Sequence, residues 1–275
     1  NEGSMGVTFP GLFGELAKAY QAKHGMSDEE LRTMFAHVAA QNYRNGIQNP
    51  MAHFGPGSLP DKKQLVTAEA ILNLPDSGKG SNPLIAPPLR LHDCSLISDG
   101  AAAVVLTSTD NAKANFKHAV ELSGIGHVTQ RMMMSERKET LHELQAAKYA
   151  VQQACTEAGV KVSDMNLAEV HDCFTINQML CAEAMGLSEQ GRAGYDFIDG
   201  KYDVDSDCPI NLSGGLKSKG HPVGATGASM HALMYKQLTG SPIGVAAKGQ
   251  PELAMTVNIG GSGVTNCVSV LRRVQ

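Results

Sequence analysis

The chain has 275 residues, which is enough for one large or two ordinary domains with buried cores. Hydrophobic residues make up 42% and charged residues 18%, a composition typical of a folded globular protein rather than a disordered one. The formal net charge of -4 argues against nucleic acid as the main partner, because phosphate binding needs clustered Lys and Arg. No apolar run approaches the roughly 20 residues that span a bilayer, so no transmembrane segment is predicted.

The cysteines point to a reducing environment and away from a metal site. No two of them form a C-x-x-C pair, so no structural zinc or other metal site is predicted. In a chain of this length they do not form a disulfide framework either, and we expect an intracellular, reducing compartment. The six are Cys94, Cys155, Cys173, Cys181, Cys208 and Cys267.

The first part of the chain predicts helices and loops. Ser27 followed by Glu30 is a capping box, and the apolar spacing after it predicts a helix to Gly46. A shorter helix before it is predicted to end at Gly25. Residues 48–88 are rich in Gly, Pro, Ser and Asn. Residues 1–90 therefore predict short helices and loops, without strands and without a large core of their own.

From residue 99 onward the pattern changes to alternating strands and helices. The run Gly100–Leu106 is apolar at consecutive positions, which predicts a strand buried on both faces. Such a strand needs partners on both edges, and residues 1–90 supply none. Alternation of strands and helices predicts an α/β layer fold. The further strands are expected at 119–125, 167–170, 255–259 and 264–271, and the helices at 144–158, 175–185 and 223–238.

The first polar cluster is His171-Asp172-Cys173-Phe174, between a buried strand and a helix. Ligands bind at the carboxyl ends of strands in open α/β sheets. A cysteine at a helix N-terminus has its pKa lowered by the helix dipole, and His171 can exchange a proton near neutral pH. The alternative is a buried structural thiol beside a hydrogen-bonded core histidine.

The second cluster runs from Ser213 to Gly227 and brackets His221 with glycines. Those glycines, Gly214 and Gly215 among them, allow positive φ and close backbone approach to a ligand. The loop leads into a helix start, which suits an anion or a polarised carbonyl. It is not a Walker loop, because no Lys-Ser/Thr pair follows Gly220. The alternative is an ordinary capped loop with an exposed histidine.

The third cluster is Asn258-Ile259-Gly260-Gly261-Ser262-Gly263, between two apolar strands. A glycine-rich turn of this kind is usually a simple hairpin. It can also present backbone N–H groups to an oxyanion.

In combination the three clusters resemble the thiolase family, and specifically its sterol-carrier-protein type. The family's usual Asn-Glu-Ala-Phe is His-Asp-Cys-Phe here, as in that type, and Gly220-His221-Pro222 matches the family's Gly-His-Pro. The usual Cys-x-Gly is Asn258-Ile259-Gly260, so loss of that cysteine accompanies gain of Cys173. Segments near 10–14 and 88–103 also resemble this type, so the likeness covers nearly the whole chain.

The resemblance implies a layered α-β-α-β-α fold made of two βαβαβαββ halves, with a loop domain inserted in the first. It assigns residues 1–90 to the loop domain, 91–116 to the last strands of the N-terminal half, and 117–275 to the C-terminal thiolase domain. The family's nucleophilic cysteine lies in a segment like Asn-x-x-Cys-Ser in the first half. No such segment occurs here. We therefore expect a fragment of a longer protein that is inactive alone.

The resemblance also implies a reaction: thiolytic cleavage of 3-oxoacyl-CoA, or the reverse Claisen condensation, in lipid metabolism. His221 would activate the nucleophile and bind the thioester oxygen together with His171. Cys173 would be the acid/base, and the N–H of Gly260 would serve a second oxyanion hole. Ser213, Gly214 and Gly215 are expected to contact substrate or coenzyme A.

Two other functions remain open at this point. One is a 3-oxoacyl synthase-like condensing enzyme, which would use His171 and His221 but leave Cys173 idle. The other is a catalytically dead acyl-CoA-binding protein. The resemblance further implies coenzyme A as substrate rather than a permanently bound cofactor, a homodimer or tetramer, and a mitochondrial or peroxisome-type location. The carboxyl end lacks the Ser-Lys-Leu peroxisomal signal.

Overall fold

The computed structural model describes residues 2–58 and 65–274. Its secondary structure alternates between helices and strands, with the helices concentrated at the start. The helices are α1 (Phe9–His24), α2 (Asp28–Gly46), α3 (Ala68–Leu72), α4 (Thr109–Asn115), α5 (Gln145–Ala158), α6 (Thr175–Met185), α7 (Ala193–Ile198), α8 (Gly215–Lys219) and α9 (Thr226–Leu238). The strands are β1 (Leu84–Ala86), β2 (Leu89–Arg90), β3 (Val120–Thr129), β4 (Leu167–Val170), β5 (Leu253–Gly260) and β6 (Thr265–Arg273).

The main sheet has four strands in the order β3-β6-β5-β4. Strands β4 and β5 are parallel, whereas β6 is antiparallel to both of its neighbours. Ile210 adds an isolated parallel bridge to Ala168 on the free side of β4. Along the chain, helices α5, α6 and α9 occur between these strands. Residues 120–273 therefore follow the strand–helix alternation predicted from the sequence.

Helices cover both faces of this sheet, and the strand residues alternate between them. Met255, Val257 and Ile259 of β5 belong to the core that includes α5 and α6. Ala254, next to Met255, belongs instead to the core formed with α9. This two-residue period is what a strand buried on both faces requires. The result is a helix–sheet–helix sandwich whose strand ends carry the polar clusters.

Helix α5 lies unusually close to β3 because glycines line the contact. A Cβ at Gly126 would stand 1.8 Å from the carbonyl oxygen of Ala150, and one at Gly124 would stand 2.1 Å from that of Ala154. A side chain at either position would push the helix off the sheet. Glycine within a strand commonly marks such a close backbone approach.

The first ninety residues are more integrated than the sequence indicates. The predicted capping box is present: Ser27 Oγ accepts from Glu30 N, and Glu30 Oε2 accepts from Ser27 N. The prediction that this region lacks strands is wrong, since β1 and β2 form a short antiparallel pair. The prediction that it has no large core of its own is not contradicted, because α2, which is buried over most of its length, packs against α6, α7 and α8 from outside the region. The predicted boundaries at 90 and 116 stay predictions.

The strand predicted at Gly100–Leu106 does not form. Residues 100–108 have no regular secondary structure, and Val105 and Leu106 are 95% and 78% exposed. A consecutively apolar strand gains its stability from neighbours on both edges. The described chain places no strand beside this segment, so its backbone pairs with nothing and its apolar side chains face outward.

None of the helices in residues 2–58 and 65–274 combines the length and the apolarity that a membrane crossing requires.

Candidate functional site

His171 stands at the carboxyl end of the fully buried strand β4. Its backbone N–H donates to the carbonyl of Val257 at 2.9 Å, which continues the parallel pairing of β4 with β5. This register brings the ring against the side chain of Asn258, whose Oδ1 lies 2.8 Å from His171 Nδ1. An amide group can accept or, after rotation, donate at this position, so His171 can carry its proton on either ring nitrogen. In both cases Nε2 is the atom left for a ligand.

His221 is placed by the glycine-rich loop and by the start of α9. Gly214 and Gly220 adopt positive φ angles of 93° and 114°, as the sequence predicted for this loop. The backbone N–H of His221 donates to Ser98 Oγ at 3.2 Å, and its Nδ1 lies 2.7 Å from Thr226 Oγ1.

The hydroxyl of Thr226 fixes which nitrogen of His221 carries the proton. It donates to the carbonyl of Pro222 at 3.1 Å. A hydroxyl has one proton, so toward His221 the same oxygen acts as acceptor and Nδ1 must carry the ring proton. The Nε2 of His221 is then an unprotonated acceptor, which is the form that can take a proton from a nucleophile.

The structure brings the two histidines together, as the sequence predicted. Their ring centroids lie 4.9 Å apart with the planes at 89°, an edge-to-face arrangement. Burial, followed by the nearby His221 and Lys219, lowers the pKa of His171 to about 3. Burial and Lys219 lower the pKa of His221 to about 4. Both rings are therefore neutral at pH 7, and both offer Nε2 as the remaining polar atom.

Cys173 is 1% exposed and belongs to the main hydrophobic core. Burial raises the pKa of its thiol well above the usual value, and Asp172 and Cys181 raise it further. The expectation that the helix start lowers this pKa is wrong, because loss of hydration outweighs the dipole at a buried position. Cys173 is thus a thiol rather than a thiolate, suited to giving up a proton only when a strong base reaches it.

Gly260 is the last residue of β5, two positions beyond Asn258, and its backbone is exposed at the turn into β6. The turn closes an antiparallel hairpin, since Gly260 is paired with Thr265. Asn258 connects this strand end to His171, so two of the three clusters meet directly. The N–H of Gly260 as an oxyanion donor stays a prediction.

The residues expected to contact coenzyme A are turned inward. Ser213 is 2% exposed, and its Oγ donates to Glu169 Oε2 at 2.9 Å. A Cβ at Gly214 would stand 2.4 Å from the Cα of Gly46, and one at Gly215 would stand 2.3 Å from Asp172 Oδ2. These glycines allow close packing of the loop against α2 and against β4. Contact of Ser213, Gly214 and Gly215 with a ligand stays a prediction.

Sequence reasoning missed a group of buried ionisable side chains next to His171 in the chain. Glu169 and Asp172 are buried, and burial raises the pKa of Glu169 to about 7 and that of Asp172 to about 6. The positive charge of Lys219 opposes both shifts. The available signal was an acidic residue at position 169 within an otherwise apolar strand, since such a residue needs buried partners.

A surface cavity of about 460 Å³ lies elsewhere, at the end of α9. It is lined by Gln237, Gln250 and Arg273 among others, and contains none of the predicted site residues. The polar chemistry therefore identifies the candidate site better than cavity size does.

Known proteins of similar sequence and structure identify the family of this chain. Residues 126–273, more than half of the chain, match the family model described as "Thiolase C-terminal domain-like". An acetyl-CoA acetyltransferase of Methanothermobacter thermautotrophicus is 37% identical over 99% of this chain, and sterol carrier protein 2 of Oryctolagus cuniculus is 30% identical over 84%. The chain spans 65% of the first of these relatives and 39% of the second.

Solved structures match over nearly the whole chain. An SCP2-thiolase-like protein type 1 of Mycobacterium smegmatis superposes with a TM-score of 0.69 over 97% of this chain and 52% of its own, at 20% identity. The Ltp2-ChsH2(DUF35) aldolase superposes with a TM-score of 0.78 over 96% of this chain and 63% of its own, at 21% identity. At these identities the likeness concerns the fold, and it confirms the predicted thiolase-like α/β class. The chain belongs to the thiolase family.

Proposed function

We propose that this chain forms part of a thiolase-type acyltransferase, which cleaves a 3-oxoacyl thioester of coenzyme A or forms it by Claisen condensation. The observation that carries the proposal is the imidazole pair of His171 and His221. Both rings are neutral, both are held at Nδ1, and both leave Nε2 for a ligand. A thioester oxygen that develops negative charge needs preplaced donors, and each Nε2 can become one once it carries a proton.

The proton on each ring sets its role. His221 Nε2 accepts the proton of an attacking thiol and can then donate it to the thioester oxygen. His171 donates from Nε2 when the amide of Asn258 turns its NH₂ group toward Nδ1. Loss of one oxyanion donor typically lowers kcat by about 10²–10³-fold. We expect His171→Ala and His221→Ala to show losses of at least this size.

Cys173 is proposed as the acid/base that protonates the leaving group or moves the α-proton. Its high pKa keeps it protonated at pH 7, so it holds a proton that a strongly basic carbanion can take. We expect Cys173→Ala in the complete enzyme to abolish turnover while still permitting acylation, seen as an added acyl mass on the protein. The exposed Cys267→Ala is the matched control and should leave turnover unchanged. Near-normal thiolysis by Cys173→Ala would contradict this role.

The nucleophile is proposed to come from a polypeptide segment that this sequence does not contain. The assay is release of acetyl-CoA from acetoacetyl-CoA and free coenzyme A, followed by mass spectrometry. We expect no release by the 275-residue chain and release by the complete natural polypeptide, whose intact mass would exceed 29.1 kDa. Strong thiolysis by the 29.1 kDa chain alone would contradict the assignment of the nucleophile.

A 3-oxoacyl synthase-like condensing enzyme is the second candidate. The deep burial and raised pKa of Cys173 favour it, because a synthase would use the two histidines and leave this thiol idle. Supplying a malonyl thioester with acetyl-CoA distinguishes the two. Decarboxylative condensation without thiolysis would select the synthase. A homodimer or tetramer remains part of the proposal and is tested by the mass of the complete protein in solution.

A further inference from the structure

Asp172 connects the two loops that carry the histidines. It follows His171 directly, and its side chain crosses to the first turn of α8 on the other loop. Asp172 Oδ1 accepts from Leu216 N at 2.6 Å, and Oδ2 accepts from Lys217 N at 3.0 Å. A third donor, Asn42 Nδ2 of α2, lies 3.0 Å from Oδ2. The carboxylate is 1% exposed, so these contacts are made without competition from water.

Helix α8, which the Asp172 carboxylate binds at its first turn, ends close to His221 in the chain. It is five residues long, ends at Lys219, and is followed only by Gly220 before His221. A short rigid element anchored at its first turn leaves the following residue little freedom. A second connection exists along the backbone: Ser95 N donates to Cys173 O, and Ile97 bridges to His221. That segment therefore contacts both loops through the backbone, whereas Asp172 joins them through a side chain.

Packing around Asp172 shows that the fit is close. Gly215, at the start of α8, has a φ of +59° and no space for a side chain. Its Cα therefore lies directly against the carboxylate. A longer side chain than aspartate at 172, or a side chain at 215, would separate the two loops.

We propose that Asp172 is a positioning residue for the imidazole pair: its carboxylate holds the loop that carries His221 against the strand end that carries His171. Its consequence for acyl transfer rests on the function proposed above. If the loop moves, the Nε2 atoms of the two rings can no longer both reach one thioester oxygen. A displacement of about 1 Å can cost about 10²-fold in rate.

The test measures the distance between the rings directly. In protein labelled at histidine, ring protons of His171 and His221 are close enough to give a nuclear Overhauser effect between them. The signal is assigned by its loss in His171→Gln and His221→Gln. Asp172→Asn keeps the size but turns an NH₂ group toward a backbone N–H, so we expect the ring-to-ring signal to disappear in the folded variant.

Gly215→Ala disturbs the same contact from the α8 side and serves where Asp172→Asn folds poorly. The matched control is Glu183→Gln, another buried carboxylate that accepts from two backbone N–H groups, those of Gly191 and Ala193. It lies on α6, away from the imidazole pair, so the ring-to-ring signal should persist. A persistent signal in folded Asp172→Asn and Gly215→Ala would overturn the positioning role.

Turnover of the complete enzyme separates this inference from the proposed function. With the positioning role and the proposed function both correct, Asp172→Asn loses the ring-to-ring signal and about 10²-fold in kcat, with a smaller change in KM. Loss of the signal with unchanged kcat would leave the positioning role intact and overturn the imidazole pair as the oxyanion site.

Discussion

Lys217 offers a sharp test of the electrostatics beneath the site, through the substitution Lys217→Met. Lys217 is 2% exposed, although its side chain normally carries a charge. Its Nζ donates to the hydroxyl of Tyr43 at 2.9 Å and stands 4.7 Å from the centre of that ring. Its charge also lowers the pKa of the buried Asp93, which burial raises to about 6. Methionine has a similar length and no charge, so the change removes the electrostatic interactions and retains much of the packing.

The expected cost follows from those interactions. A hydrogen bond from a charged group contributes about 1.5–3 kcal/mol, and a desolvated cation–π contact about 2 kcal/mol. Avoiding the desolvation of the ammonium group offsets part of this sum. We therefore expect Lys217→Met to lower the free energy of unfolding by about 2–4 kcal/mol at pH 8.

The cost should depend on pH because Asp93 titrates. The folded pKa of Asp93, about 6, lies above its ordinary value of 3.8, so ionising it opposes folding as the pH rises between these values. Without Lys217 the folded pKa rises further, and the loss of stability continues above pH 6. The difference between wild type and variant should therefore be larger at pH 8 than at pH 5, where Asp93 is already protonated.

The assay is urea unfolding at both pH values, followed by circular dichroism because the chain has no Trp. The exposed Lys148→Met is the control and should change stability by less than about 0.5 kcal/mol. In Lys217→Met combined with Asp93→Asn, the pH dependence of the cost should vanish. A cost below about 1 kcal/mol at pH 8, or an equal cost at both pH values, would refute the reasoning.

Three further substitutions test other parts of the fold. Gly126→Ala should destabilise by about 1–3 kcal/mol or more in urea unfolding, because its Cβ would overlap the carbonyl of Ala150, whereas Gly224→Ala, with open space around it, should be neutral. Burial raises the pKa of Glu183 to about 7, so ionising it costs wild type stability as the pH rises from 4.5 to 7. Glu183→Gln should therefore become more stable relative to wild type over this range. An unchanged difference in stability would contradict the raised pKa. Between pH 4 and 6.5 the His221 ring is neutral in the folded state and protonated in the unfolded state, so wild type gains stability as the pH rises. His221→Gln should lack this gain. Equal slopes of stability against pH in variant and wild type would contradict the lowered pKa.

Local signals in the sequence were reliable because local forces produce them. The Ser27–Glu30 capping box and the glycines after α1, α5 and α6 fix helix ends through contacts within a few residues. The alternation of strands and helices after residue 119 appears in the structure with small changes at the ends. The longest change is in β3, which ends at Thr129 rather than at 125. Helix α9 begins at Thr226 rather than at 223, since Pro222 and Gly224 delay the first turn.

The apolar run at 100–106 shows where a local signal is insufficient. Its apolar composition predicts a buried strand. The composition does not indicate which other strands would pair with it. Strand formation depends on partners distant in the sequence. The described chain does not bring any beside it, so the segment is exposed.

The sequence by itself determined the family resemblance, the order of the main strands and helices after residue 119, and the three clusters at strand ends, because motif spacing and helix caps depend on neighbouring residues. The tertiary structure decided how those clusters act. Pairing of β4 with β5 joined Asn258 to His171, the turn into α9 joined Thr226 to His221, and burial set the pKa of Cys173 opposite to the local expectation. The pKa of a buried side chain depends on its loss of hydration and on charges that are distant in the sequence. Both are fixed only when the chain is packed.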